Sequence, residues 1–151
     1  MTLTLILLGL LCGPWLIATL LRLSPNIKHL AGTIGITLLF LFAGLGHFIV
    51  TDEMVAMLPE FLPLRRLAVH LSGIVEWIAA ILVLIPRLRK STGWFLVVLL
   101  IFLLPVNIYA AMVHAPAGGH AWGPIYLLIR MPLQTIMIAW TYYFAARPAD
   151  Q

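Results

Sequence analysis

Apolar residues in this chain come in long unbroken runs, with neither the strict alternation of a half-buried strand nor the single stripe of a water-facing helix. Five runs, Leu3 to Leu23, Leu30 to Val50, Leu67 to Ile85, Trp94 to His114 and Pro124 to Ala146, are separated by polar or Pro/Gly-bearing connections. Each is close to the roughly 20 residues that cross a hydrocarbon core. Backbone groups in lipid must be satisfied within the segment, so the runs predict transmembrane helices. The stretch Thr51 to Arg66 is too polar to span. Its Met54, Val55, Met57, Leu58, Phe61 and Leu62 make it amphipathic, which predicts an interfacial hairpin or short helix on the outer face, broken at Pro59 and Pro63. No repeat or linker divides the chain, so residues 1–151 read as a single membrane domain.

Composition strengthens this picture. Hydrophobic types make up 63% of the residues and charged types 9%, against about 25% charged in an ordinary soluble domain. The net charge of +4 does not mark a nucleic-acid binder, because the basic residues are scattered over short connections instead of being gathered on one face. Cys12 is the sole cysteine, which excludes an intrachain disulfide and a thiolate metal cluster. The apolar start lacks a basic n-region and a small-x-small cleavage pattern, so it is read as a retained helix, not a signal peptide. Arg22 and Lys28, then Arg87, Arg89 and Lys90, then Arg147 lie on alternate connections. The opposite side has Arg65 and Arg66 together with Asp52, Glu53 and Glu60. The positive-inside rule then puts the N-terminus outside and the C-terminus in the cytoplasm.

Within the runs, polar residues carry the chemistry. A charge near a helix centre costs about 2.5–3.5 kcal/mol on insertion scales, so Glu76 and Arg130 are candidates for function. At 1.5 Å per residue they lie roughly 14 Å and roughly 9 Å into their spans from the same outer side, similar enough for a direct ion pair. His47 and His70 fall near the outer ends of their spans, Asn107 roughly 10 Å inward from His114, and Gln134 one turn beyond Arg130. Tyr126, Arg130 and Gln134 share a stripe, as do Ser72 and Glu76, and Asn107 and His114. Ala43, Gly44, Gly46 and Gly73 permit close helix approach. Pro105 and Pro132 free carbonyls for polar neighbours. The inner halves, such as Gly32 to Leu41 and Ala79 to Ile85, are aliphatic apart from an occasional Thr. This one-sidedness predicts a polar pocket opening outward and argues against a channel or a transporter.

Structural roles stand beside these. Glu76 with Arg130 would serve as a pair that fixes helix register. His47 and His70 would serve as interfacial hydrogen-bonding groups, His114 and His120 as solvated loop residues, and Trp77, Trp94, Trp122 and Tyr109 as belt or packing residues. His47, His70 and His114 above Glu76 lack any metal-ligand spacing, and no metal site is assigned. Nucleophilic triads, phosphate-cradling loops and haem-attachment motifs are absent from the sequence.

Three segments, Gly44-Leu-Gly-His47-Phe48, His70-Leu-Ser-Gly73-Ile-Val-Glu76 and Pro105-Val-Asn107-Ile-Tyr109, resemble the DoxX-like family of small bacterial integral membrane proteins. That family is distantly related to the small subunit of thiosulfate:quinone oxidoreductase. The likeness spans about Ile34 to Ala146. It implies an all-α four-helix transmembrane bundle with the first helix as an addition, in a bacterial inner (plasma) membrane. His47, Glu76, Asn107 and Tyr109 stand at its motif positions. The resulting expectation is an outward-opening pocket for a quinone or other small amphiphile, in a component of a quinone-linked oxidoreductase. Glu76 and His47 are the expected catalytic residues, and His70, Asn107, Tyr109, Arg130 and Gln134 the expected ligand-binding residues. A diffusible quinone or a partner redox subunit would carry the electrons, because no bound-cofactor motif is present. The lipid bilayer is the other expected partner. A non-catalytic assembly factor or accessory subunit is the alternative.

Overall fold

The computed structural model describes residues 2–147. Among them there are helices and no strand. The helices are α1 (Thr2–Leu20), α2 (Pro25–Ile49), α3 (Thr51–Val55), α4 (Arg65–Leu82), α5 (Pro86–Met112) and α6 (Leu127–Thr141). A 3-10 segment, His120–Tyr126, leads into α6, and a π turn, Tyr142–Ala146, continues it. Each of the five apolar runs is predominantly helical, and the polar stretch between the second and third begins with the short helix α3. Helices α1, α2 and α5 are long and apolar enough to cross a membrane. Helix α4 carries Arg65, Arg66 and Glu76, and α6 is 15 residues long before its flanking turns.

The helix ends follow local chemistry. Pro25 and Pro86 stand at the first turns of α2 and α5, where the missing N–H costs nothing and the fixed φ is already helical. Both helices therefore begin before their apolar runs, since hydropathy marks where side chains stop being polar and not where the backbone stops being helical. Helices α1 and α5 end alike. Arg22 (φ 52°) and His114 (φ 53°) are left-handed, with Leu23 N–H donating to the Ala18 carbonyl and Ala115 N–H to that of Ala110. The fifth run was expected to be helical from Pro124, but regular α-helix begins at Leu127 because Gly123 (φ 69°, ψ −153°) sits outside helical space.

Helix α2 is central, packed against α1 on one side and α4 on another, with α6 also in contact. Helix α5 packs on α6 and both its flanking turns. The core joins Leu7 and Leu11 to Ile36, Leu39 and Phe40, and to Leu96, Leu100, Leu133 and Met137. Hydroxyl and indole groups tie helices to each other's carbonyls: Thr37 to Ala80 at 3.0 Å, Trp140 to Gly32 at 3.1 Å and Trp77 to Leu41 at 3.0 Å. Outside the core, Leu5, Leu20, Phe102 and Leu128 are 67–80% exposed. Large apolar areas of this kind are unfavourable against water at roughly 25 cal/mol per Å² and carry no such cost against lipid tails.

A Cβ at Gly35 would run into the Leu11 carbonyl, so α1 and α2 touch at backbone distance, whereas one at Gly9 would meet nothing within 4 Å. We expect Gly35→Ala to lower stability by about 1–3 kcal/mol through overpacking. Gly9→Ala should leave it unchanged or raise it by up to about 1 kcal/mol through helix propensity. Thermal unfolding of the two variants in the same detergent checks both; equal melting temperatures would count against backbone-close packing of α1 on α2.

Candidate functional site

Polar side chains gather in two places between helices. The first lies where α2 crosses α4. Gly44 and Gly73 let the backbones meet there: a Cβ on Gly73 would lie 2.7 Å from the Cβ of His47 and 3.1 Å from the Gly44 carbonyl. His47 Nδ1 is 2.8 Å from the Val69 carbonyl and 2.9 Å from Ser72 Oγ, and Ser72 itself donates to Val69 O at 2.9 Å. A carbonyl can only accept, so Nδ1 carries a hydrogen and the ring tautomer is fixed. His47 Nε2 then faces Glu76 Oε1 at 3.4 Å. With the other nitrogen protonated, this contact is attractive only if a proton resides on Nε2 or on the carboxyl, so the two groups hold one proton between them. Glu76 is 3% exposed, and its Oε2 is buried without a hydrogen-bond partner.

The second cluster joins α5 to α6. Arg130 Nε donates to Asn107 Oδ1 at 3.2 Å, and Asn107 Nδ2 donates to the Leu103 carbonyl at 3.0 Å. Gln134 Nε2 donates to the Leu100 carbonyl at 2.8 Å, while its Oε1 is buried and unpartnered. Neither carbonyl is that of Ile101, the one that Pro105 leaves without its usual donor; they lie one residue before it and two after it. The stripe predicted on α6 does turn inward, with Tyr126 3% and Gln134 1% exposed. The direct Glu76–Arg130 ion pair is not formed: among the described residues Glu76 pairs with His47, and Arg130 sits beyond pairing distance yet within range of the carboxylate's charge. Depth along each helix was similar enough, but helical rotation decides which neighbour a side chain meets.

The remaining candidates are spread out. His70 is half-buried, with Nε2 3.3 Å from Thr51 Oγ1 and its ring stacked on Phe48 at 5.4 Å, so it anchors α3 to α4. Tyr109 is half-buried on α5, and His114 is exposed at that helix's end. His120 corrects an expectation. It is 2% exposed, not solvated; its Nδ1 donates to the Ala117 carbonyl at 2.8 Å and its ring stands edge-on to Tyr126 at 4.9 Å. Pro/Gly composition marks a loop but not that the 3-10 segment folds inward. Burial pushes the His120 pKa below its usual 6.5; the Ala117 hydrogen bond opposes this and the charge of Arg130 adds to it.

Two clefts open on the surface. A cleft of about 430 Å³ runs along Phe48, Thr51, Glu53 and Arg66, where Arg66 also pairs with Asp52. A larger groove of about 1040 Å³ lies at the opposite end, around Lys28, Arg89 and Trp140. Among the described residues no three His, Cys, Asp or Glu side chains come together as a metal-binding group.

Fold and site together define a helical membrane protein that buries a carboxylate and two amides between its helices, beside a half-buried imidazole and a half-buried guanidinium. The chain belongs to the family described as "Domain of unknown function (DUF8561)", whose sequence profile matches residues 36–145 and so begins after α1. No curated protein and no solved structure matches the chain.

A double-mutant cycle on His47→Ala and Glu76→Ala should give a coupling of about 1–3 kcal/mol, larger than the cycle on Arg130→Ala and Glu76→Ala. The reverse order, read from unfolding in detergent, would place the carboxylate's main partner on α6. A second expectation concerns pH. A histidine with a lowered folded-state pKa leaves stability intact above its unfolded-state value of 6.5. Stability then falls as pH drops through 6.5 towards the lowered folded value, because the unfolded chain takes up a proton the folded one resists. His120→Asn should flatten that acid-side fall in melting temperature; slopes equal to wild type would show that His120 is free to charge in place.

Proposed function

We propose that this chain is a DoxX-like bacterial inner-membrane protein, with α2, α4, α5 and α6 as a four-helix core and α1 added outside it. In this reading the N-terminus is outside and the C-terminus cytoplasmic. The buried polar site binds a quinone or another small amphiphile, and the protein is the membrane component of a quinone-linked oxidoreductase. The match of the family profile to residues 36–145 fits a core that excludes α1.

One observation carries the functional part: Glu76 keeps one oxygen against His47 and leaves the other buried with no partner. A buried acceptor without a donor costs about 1–3 kcal/mol, and more when charged. A ligand that brings an O–H to Glu76 Oε2 removes that cost. A quinol hydroxyl does so and a quinone carbonyl does not, so the reading favours the reduced form when Glu76 is ionised. The Glu76–His47 pair gives the site a place to receive or return one of the two protons exchanged between quinol and quinone, the second proton passing to water and the two electrons to or from a partner redox subunit. Arg130, Asn107 and Gln134 supply donors and an acceptor from the facing helices, with His70 and Tyr109 nearer the edges.

A second reading, a non-catalytic assembly factor or accessory subunit, is favoured by another observation. His47, Arg130, Asn107 and Gln134 each spend hydrogen bonds tying helices together.

Native mass spectrometry of gently extracted protein separates the two. We expect wild type to retain a quinone-class or other small amphiphile, and Glu76→Gln or Arg130→Gln to lose it while remaining folded. A wild type that carries a partner protein and no small molecule, with the same result in both variants, would abandon the redox reading for the accessory one.

A further inference from the structure

The larger groove lies at the end of the molecule away from Glu76, where α1 ends, α2 and α5 begin and α6 finishes. One side of it is cationic. Lys28 and Arg89 both line it, each half-buried, and Arg89 is held through Nε to the Val83 carbonyl at 3.3 Å, which leaves its two terminal nitrogens for another acceptor. Aromatic rings line it as well. Trp15 and Trp140 meet edge-to-face at 5.9 Å, and Phe144 leans on Trp140 at 4.8 Å. None of the described acidic residues, Asp52, Glu53, Glu60 and Glu76, lines the groove, so the positive charge is not neutralised from within it. Its wall continues along α6 through Ile136 and Ala139, both exposed, towards the apolar outer surface.

We propose that this groove is a binding site for an anionic phospholipid: the phosphate is held by Lys28 and Arg89, and the upper acyl chain lies along Trp15, Trp140 and Phe144. The argument is one of charge and polarity matched end to end. A basic pocket between helices at the membrane surface suits an anionic headgroup. An aromatic wall running from it into the apolar belt suits the chain attached to that headgroup, whereas a free anion would use the basic side alone. A zwitterionic lipid gains less, since its ammonium group meets two cations. The proposal does not depend on the chemistry at Glu76.

The test uses the full-length protein in a mild detergent, titrated with phosphatidylglycerol, phosphatidylcholine or inorganic phosphate and followed by native mass spectrometry. We expect phosphatidylglycerol to be retained in preference to phosphatidylcholine. Lys28→Gln and Arg89→Gln should each weaken its retention roughly fivefold, and together roughly thirtyfold. Arg87→Gln with Lys90→Gln removes the same charge from the neighbouring connection and should change it far less. Equal retention of the two lipids would overturn the proposal, as would equal losses in the two double variants, which would mean that net charge alone attracts the lipid. Displacement of phosphatidylglycerol by millimolar inorganic phosphate would mark a small-anion site instead. Should the double variant not fold, the single variants and the wild-type lipid preference give the same decision.

Discussion

A carboxylate removed from water needs a proton, a cation or a set of donors, and the arrangement of α2 against α4 answers that need for half of Glu76. His47 meets one carboxylate oxygen, and its ring is oriented because Val69 and Ser72 take the other nitrogen's hydrogen. That geometry requires the two backbones to approach closely, which Gly44 and Gly73 allow. A side chain at either position would separate the helices and with them the imidazole and the carboxylate. The crossing is therefore both a packing feature and the device that sets the protonation of the pair.

The α5–α6 side follows a different rule. Asn107 and Gln134 place their amides on carbonyls near the break made by Pro105, and Arg130 is steered by Asn107 instead of by the acidic group. Arg130 therefore meets an amide oxygen, and the carboxylate's ion-pair partner is His47. Two unpartnered acceptors, Glu76 Oε2 and Gln134 Oε1, remain on different helices. Buried and without a partner like Thr19 Oγ1, His120 Nε2 and Thr141 Oγ1, these two differ in belonging to the polar clusters between α2, α4, α5 and α6, and that position gives a ligand-binding reading its physical content.

The two ends of the molecule are also chemically unlike. The end bearing α3 holds acidic and basic side chains together, as in the pairing of Arg66 with Asp52. The other end holds Lys28 and Arg89 beside aromatic rings, and among the described residues no acidic side chain lines the groove. A bilayer with an anionic leaflet would distinguish these ends, and in the proposed lipid site the basic residues from which orientation is read would also be the ones that hold lipid.

The apolar runs marked where the five long helices lie, and three of these are long and apolar enough to cross a membrane, where backbone polar groups leave little choice but a helix. The stretch Thr51 to Arg66 read as an interfacial hairpin or short helix broken at Pro59 and Pro63, and the helical part is Thr51–Val55, which ends before either proline. Polar residues inside apolar runs likewise marked Glu76, Arg130, Asn107 and Gln134 as exceptional, because desolvation is costly whatever the fold. What one-dimensional pattern could not supply was rotation about each helix axis and the angle between helices. Those decided that Glu76 meets His47 and not Arg130, that His70 turns to Thr51, and that His120 folds inward from a loop. The aromatic and basic groove was invisible for the same reason: Trp15, Lys28, Arg89 and Trp140 belong to four separate stretches of chain, and only tertiary packing makes them neighbours.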